Sequence, residues 1–332
     1  MIQKIKLSTF FKYYSRESEH VVLLPSLIEG FFTNSLEHDL ILVAILAEQK
    51  KTYSICIGKD YKNIKNKIVF YNPSVLFNFK DELDYSAAMI RIAKEMEGNG
   101  NQVFYSSYEI SFWENKAFMH RMFDDLNVKT PKTNVFSSAK EVKDAVMEFP
   151  CLLKEEHSYA SLGLHKLNSM EEAITLVESE AFKARNENIL IQKLLNIKKD
   201  LRVILMGDEI LLHYWRVNPS KEWKPTSTSH GSGVDFVTFP EKWRTHIIET
   251  FKKLNLTTGA FDIAWDNDDL DSEPYFLEVS PNYQPNPPVD LSGKPFNYGQ
   301  YKKKFLWKDS WDYNYINIIY AIKQKWIKSI LT

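Results

Sequence analysis

The sequence predicts a mixed protein, α/β in its first third and α+β beyond it. Short apolar runs alternate with polar connections and a helix-spaced segment before residue 113. After that point two more helix-spaced segments appear, and from residue 189 strand-like runs dominate. Buried strands interleaved with helices point to a parallel sheet, and strands following one another through tight turns point to antiparallel pairing.

The first lobe reads as strands at HVVLLPS (20–26), DLILVAILAE (39–48), YSICIG (53–58), KIVFYNP (67–73) and NQVFYSS (101–107). Between the last two, SAAMIRIAKEMEGNG (86–100) has helical spacing at Met89, Ile92 and Met96 and stops at Gly98. No glycine fingerprint follows any of these strands, which argues against a dinucleotide site. ENKAFMHRMFDDLNV (114–128) reads as a helix with Phe118, Met122 and Leu126 on one face. SAKEVKDAVMEF (138–149) reads as a second, entered through Ser138 with Glu141 three residues on. Strand CLLK (151–154), polar loop EEHSYASLG (155–163), strand LHKL and a helix from Ser169 follow.

ILIQKLL (189–195) is a strand, and LRVILMGDEILLHYWRV (201–217) a hairpin turning at Gly207-Asp208. PEKWRTHIIETFKKLN (240–255) is an amphipathic helix, and GAFDIAW and PYFLEVS are two more strands. The tail (311–330) reads as a docked helix with Tyr315, Ile319, Ile322, Trp326 and Ile330 on one stripe.

Bulk properties narrow the function. Lys and Arg number 42 against 43 Asp and Glu, so the basic surplus of a nucleic-acid binder is missing. No apolar run is long enough to span a bilayer, and the N-terminus lacks the apolar core of a signal peptide. Cys56 and Cys151 lie inside apolar runs and read as buried free thiols. These features lead us to expect a cytoplasmic protein without nucleic-acid or membrane partners.

One pair of residues carries chemistry. If Trp265 pairs with Tyr275 across the DNDDLDSEP turn, Asp262 falls opposite Glu278. Phe261, Ile263, Trp265, Tyr275, Leu277 and Val279 then share one face, and Asp262, Ala264, Phe276, Glu278 and Ser280 the other. Like charges directly opposite are destabilising, and a divalent cation between them reverses that. From this pair alone, a metal site and a solvated sheet face stand about even. The acids inside the turn read as solvated loop residues.

From residue 113 onward the order of features resembles the ATP-grasp superfamily, closest to the branch of ribosomal-protein glutamate ligases and glutathione synthetase. The best match is KKDLRVILMGDEILLHYWR (198–216), with Asp200, Arg202, the Gly207-Asp208 turn and Arg216. The GAFD strand followed by FLEVS is the second. The resemblance implies an N-terminal Rossmann-like pre-ATP-grasp lobe (1–112), a small lid subdomain (113–187) and a large subdomain with the metal site and C-terminal helix (188–332). It puts Lys116 and Lys154 on the nucleotide, together with Ser158, Ser161 and Gly163 of the flap SYASLG and Asp200. The hinge Gln192, Lys193, Leu194 and Leu195 would read the adenine edge. Arg202 and Arg216 would stabilise developing phosphoryl charge, although a simple two-residue hairpin sets them on opposite faces.

For the metal it implies Asp262, Glu278, Ser280 and Asn282 around Mg2+, with Mn2+ as a substitute. The family strand usually reads Glu-x-Asn, whereas here it is Glu278-Val279-Ser280 with Asn282 further on. The expected activity is ATP-dependent carboxylate–amine ligation through an acyl phosphate, acting on small-molecule, peptide or saccharide substrates. A phosphotransferase and a non-catalytic nucleotide-binding protein are the alternatives, and a homodimer is compatible with the family. Tyr283, in SPNYQPNPP (280–288), is expected to face the acceptor.

Overall fold

The computed structural model describes residues 7–25, 36–73, 85–158, 161, 163–220, 222–286, 296–297 and 311–332. Two units separate, one comprising residues 1–113, 284–287 and 312–332, the other 114–283 and 288–311. Tyr159, Ala160 and Leu162 of the flap, and the prolines at 287 and 288, lie outside the described residues.

The first unit runs α1 (Leu7–Tyr13), β1 (His20–Leu24), α2 (Leu36–Glu48), β2 (Ser54–Ile57), β3 (Ile68–Phe70), α3 (Tyr85–Gly98), β4 (Gln102–Phe104) and α4 (Ser107–Ile110). Its strands form a parallel sheet in the order β2-β1-β3-β4. β1 is buried along its whole length, as a parallel strand covered on both faces must be. The run at 39–48, expected as a strand, is part of α2. Ile41 through Ala47 are all buried, so the helix is apolar around its whole girth and shows no period to distinguish it from a strand. Its length fits a helix better than a strand.

The second unit begins with α5 (Lys116–Asp125) and continues with β5 (Thr133–Phe136), α6 (Ala139–Asp144), β6 (Cys151–Lys154), β7 (Leu164–Leu167), α7 (Met170–Glu178), α8 (Glu180–Lys183) and β8 (Ile189–Lys193). β5-β8-β6-β7 form an antiparallel sheet backed by Val142, Ala173, Val177 and Phe182. α6 is shorter than the sequence suggests, and Val146 beyond it is exposed. Ser138 caps α6, but Glu141 turns to the N–H and hydroxyl of Ser137.

Next come β9 (Lys199–Met206), β10 (Glu209–Val217), β11 (Gly233–Asp235), α9 (Arg244–Lys253), β12 (Thr258–Ala264), β13 (Tyr275–Ser280) and β14 (Phe296–Asn297). They form a six-stranded antiparallel sheet in the order β13-β12-β9-β10-β11-β14. α9 covers one face, where Phe251 meets Phe261 edge to face and Phe261 meets Phe276 at 4.7 Å.

The C-terminal helix α10 (Trp311–Leu331) was expected with the large subdomain, but belongs to the first unit. Trp326 stacks on Tyr105 at 4.8 Å, and the Tyr320 hydroxyl reaches Glu48. Ile319 and Trp326 of the expected stripe are buried, with Tyr320 and Ile327 beside them, and Ile322 and Ile330 are half-buried. Among the described residues no helix is long and apolar enough to cross a membrane.

Candidate active site

Two bulges build the site. The Gly207-Asp208 turn pairs Met206 with Glu209 and Leu205 with Ile210, a phase that would leave Arg216 opposite Lys199. The register then shifts at Leu211, so that Leu212 pairs with Ile204 and Arg216 with Asp200. The extra residue brings both arginines to one face, which an unbulged hairpin could not do. Arg202 also pairs with Asp262 on the neighbouring strand β12.

The second bulge lies in β13. Asp262 does stand opposite Glu278, but Ala264 rather than Trp265 pairs with Tyr275. Leu277 is the surplus residue, and Phe276 therefore opposes Ile263 and joins the apolar face instead of the carboxylate face. The Leu277 carbonyl accepts a hydrogen bond from Lys154 Nζ at 3.4 Å.

Asp262 is the centre of an ion-pair cluster. Arg202 Nε and Nη2 donate to its two oxygens at 2.7 Å each, and Arg216 Nη2 approaches at 2.8 Å. Arg216 also grips Asp200, with Nε on Oδ1 at 2.9 Å and Nη2 on Oδ2. Burial opposes the charge on Asp262, but Arg202 and Arg216 outweigh it and hold the carboxyl well below the usual range. Burial pushes Asp200 up, with Arg216 opposing. Two-pronged guanidinium–carboxylate pairs of this kind are strong and directional.

The lysines come from other elements. Asn115 caps α5 by accepting from Phe118 N–H, and Met119 Sδ accepts from Val279 N–H, which ties the helix to β13. The buried face of α5 carries Lys116, Met119, His120 and Phe123 rather than the expected Phe118, Met122 and Leu126. Two of those four positions are basic, so the apolar pattern pointed to the wrong face. Lys116 Nζ donates to the Ser158 carbonyl at 2.5 Å and to its hydroxyl at 3.2 Å. Lys154 ends β6, and burial lowers it to about 8, with Glu278 opposing.

Beside these lysines lie groups the sequence did not single out. His120 is 1% exposed, and neither ring nitrogen has a hydrogen-bond partner. Burial, Lys154 and Lys116 lower its pKa well below the usual value, so the ring is neutral. Glu114 Oε2 is also buried without a partner, and burial raises that carboxyl to about 7, against Lys116 and with Glu278. A lone histidine inside a helix gave no sequence signal that could have separated it from an ordinary core residue.

The described residues of the flap loop pack closely around Gly163. Glu155 N–H donates to the Gly163 carbonyl at 2.7 Å, and Ser158 Oγ donates to the Glu155 carbonyl at 3.0 Å. A Cβ at Gly163 would lie 2.5 Å from Glu155 Cβ and 2.8 Å from Ser158 Cβ, so only glycine fits. Ser161 has a left-handed φ of 61°.

At the hinge, Gln192 turns its amide to Thr133 Oγ1 at 2.8 Å, and Lys193 is exposed. No hydrogen bond from the N–H of Leu194 or Leu195 is made among the described residues. The segment that follows is held by the 266–268 turn. Asn196 N–H donates to Asp266 at 2.9 Å and Lys198 N–H to Asp268 at 3.2 Å. These acids, expected to be solvated, fasten the hinge backbone.

A divalent cation with phosphates calls for open oxygen donors at this site. The Glu278 carboxylate accepts no hydrogen bond among the described residues and is open to a ligand, and His120 and Glu114 leave buried polar atoms unpartnered near it. Asp262 is mostly committed to the arginines. Ser280 donates its hydroxyl to the Asn282 carbonyl at 2.6 Å. No cluster of three or more His, Cys, Asp or Glu forms a metal cage among the described residues. Magnesium bound by one or two carboxylates plus substrate phosphates fits these residues, whereas an all-protein cage does not.

Tyr283, the aromatic expected to face the acceptor, is half-buried. Its hydroxyl hydrogen-bonds Thr258 Oγ1 at 2.9 Å, and Thr258 in turn donates to the Leu205 carbonyl.

Comparison with known proteins gives a consistent fold. No family model and no curated protein matches the chain. Among solved structures, a D-alanine–D-alanine ligase from Bacillus anthracis aligns over 92% of this chain and 98% of its own, with TM-score 0.56 and 10% identity. The D-cycloserine synthetase DcsG aligns over 79% and 91%, with TM-score 0.55 and 11% identity. A RimK domain ATP-grasp protein from Sphaerobacter thermophilus aligns over 78% and 90%, with TM-score 0.52 and 13% identity. The chain has the ATP-grasp fold.

Proposed function

We propose that this ATP-grasp chain binds Mg2+–ATP in its second unit and uses it to join a carboxylate to an amine. The observation that carries the reading is the meeting of two arginines, set by a bulge on one face of β9 and β10, with Asp262 beside Glu278. The structural neighbours named as a ligase and a synthetase support the reaction class.

Lys116 and Lys154 neutralise the phosphates as mobile point charges, and the loop carrying Ser158, Ser161 and Gly163 offers backbone N–H groups to the same oxygens. The N–H groups of Leu194 and Leu195 read the adenine edge. Glu278, with the remaining lone pairs of Asp262 and with Ser280 or Asn282, would hold the metal ion. When bound, Mg2+ or Mn2+ would supply charge neutralisation to the phosphates.

In the reaction, a substrate carboxylate oxygen attacks the γ-phosphorus and ADP leaves with the bridging oxygen. Arg202 and Arg216 lie beside the position where charge grows, and their planar donors suit a phosphoryl oxygen. An amine nitrogen then attacks the acyl carbon and inorganic phosphate departs, leaving an amide and releasing a proton. The residues position the reactants and neutralise charge, so no side-chain nucleophile is needed.

A test is to incubate the chain with Mg2+–ATP and a panel of carboxylates and amines. We expect ADP, free phosphate and a new amide mass, with Glu278→Gln slowing ADP formation by about a hundredfold or more. A phosphorylated acceptor without free phosphate would instead indicate a phosphotransferase. The commitment of Asp262 to two arginines favours a second reading, a nucleotide-binding protein without turnover. That reading holds if wild type and Glu278→Gln bind Mg2+–ATP equally and neither turns over.

A further inference from the structure

The first unit carries a lysine that the nucleotide chemistry does not use. Lys323 lies in the inner stripe of α10, one turn from Ile319, Tyr320, Trp326 and Ile327, all of them buried. Its Nζ sits 5.5 Å from the ring centre of Tyr105 and 5.3 Å from that of Trp326, and 3.4 Å from the Tyr105 hydroxyl. Trp326 is itself fixed by stacking on Tyr105 at 4.8 Å and by edge contacts with Phe70 and Phe104. No carboxylate lies within salt-bridge distance of Lys323 among the described residues. Aromatic faces compensate an ammonium only in part, so this half-buried lysine lacks a full counter-charge.

Its surroundings are polar and belong to one edge of the sheet. Tyr105 directly follows β4, and Asn72 lies just past the end of β3. Asn72 is 3% exposed and donates to Asp39 Oδ1 at 3.4 Å. Asp39 is fully buried on α2, the helix that follows β1. The strand order β2-β1-β3-β4 changes direction between β1 and β3, and open parallel sheets bind ligands at the carboxyl ends of strands beside such a point. Burial lowers Lys323 to about 8, opposed by Asp39, which leaves it mostly charged at neutral pH. Burial and Lys323 lower His38 to about 4, so that ring is neutral.

We propose that Lys323, framed by Tyr105 and Trp326, anchors a carboxylate group of a small ligand at the carboxyl edge of the parallel sheet. Asp39 already opposes the charge of Lys323, so a monoanion adds one negative charge beside them where a phosphate dianion would add two. The ligase reading enters only in naming this carboxylate as a substrate's; the anion site stands without it.

The test uses the full chain and its Lys323→Met and Lys323→Arg variants. Thermal unfolding is followed with L-glutamate, acetate or inorganic phosphate as probes and Mg2+–AMPPNP as a control. The carboxylates should raise the wild-type melting temperature, Lys323→Met should weaken that response at least tenfold, and Lys323→Arg should retain most of it. Without ligand, Lys323→Met should melt at or above the wild type, because it keeps the stem and removes an uncompensated charge. No carboxylate response in the wild type overturns the proposal, as does a phosphate response of equal size. A lower melting temperature for ligand-free Lys323→Met also overturns it, because Lys323 would then be a structural partner of Asp39. The AMPPNP response reports separately on the nucleotide reading and should be unchanged in all three proteins.

Discussion

Asp262→Asn separates two physical pictures of the site. In one, Asp262 is a fixed member of an ion-pair cluster; in the other, it is a bare carboxylate facing Glu278. Its oxygens take donors from Arg202 at 2.7 Å and Arg216 at 2.8 Å, and the side chains of the three are 10%, 20% and 13% exposed. Water therefore screens them little. The amide removes one charge from a cluster of two arginines and two aspartates and leaves it net positive. Breaking a buried pair by removing one partner costs about 3–5 kcal/mol. Asparagine keeps one accepting oxygen and Asp200 still faces Arg216, so about 2–3 kcal/mol is expected. For a unit of this size that lowers the melting temperature by roughly 4–12 °C. The bare-carboxylate picture gives the opposite sign, since removing one of two opposed like charges relieves up to about 1 kcal/mol. Glu278→Gln is the companion variant, because its carboxylate accepts no hydrogen bond among the described residues. It should melt close to wild type, because relief of the repulsion toward Asp262 offsets the lost attraction to Lys154, while losing Mg2+–ATP affinity. Calorimetry in EDTA without nucleotide reads both, and an Asp262→Asn protein as stable as wild type would refute the clamp.

Other consequences can be measured directly. Gly163→Ala forces a Cβ against Glu155 and Ser158, so the loop must shift, at a cost of about 1–3 kcal/mol. Mg2+–AMPPNP affinity, read by calorimetric titration, should fall while the melting temperature of the first unit stays put. His38 has its pKa lowered to about 4 from 6.5, so between those values the unfolded chain holds a proton that the folded chain lacks. Its contribution is complete above pH 6.5 and is lost as pH falls toward 4, with a slope of up to about 1.4 kcal/mol per pH unit. His38→Gln should flatten the acid side of the stability profile, and an unchanged slope would assign that loss elsewhere. Cys56 and Cys151 are buried, and burial pushes the thiols up to about 12 and about 11. Both should resist iodoacetamide at pH 8 in the folded protein and react once it is unfolded in urea.

Much of the architecture was legible because it rests on local rules. Gly207-Asp208 names its own turn, Ser138 and Ser169 cap helices through their hydroxyls, and the acid pair Asp262–Glu278 follows from strand alternation. What failed was phase and face. The run 39–48 is apolar all round, so no period separates helix from strand. α5 buries Lys116 and His120 together with Met119 and Phe123, so a rule that seeks apolar stripes selects its half-buried side. α10 likewise carries Lys323 in its inner stripe. In both helices the pattern breaks at a basic residue, buried in α5 and half-buried in α10, and such residues cost stability unless a ligand or ion pair offsets them.

The two bulges show why the site could not be read from alternation alone. A two-residue turn fixes one phase for the hairpin, and in that phase Arg216 projects from the face opposite Arg202. The site needs the other phase, because both guanidiniums must reach Asp262. Leu211 supplies the missing residue, and Leu277 does the corresponding work in β13, where it turns Phe276 into the apolar face and leaves Glu278 opposite Asp262. Leu211 stands between Ile210 and Leu212 and Leu277 follows Phe276, and no glycine marks either position, so the sequence carries no local signal for the shift. The signal is instead a conflict between two local demands. The turn sets one register, the convergence of charged side chains requires another, and a single surplus residue in the strand is the smallest change that satisfies both.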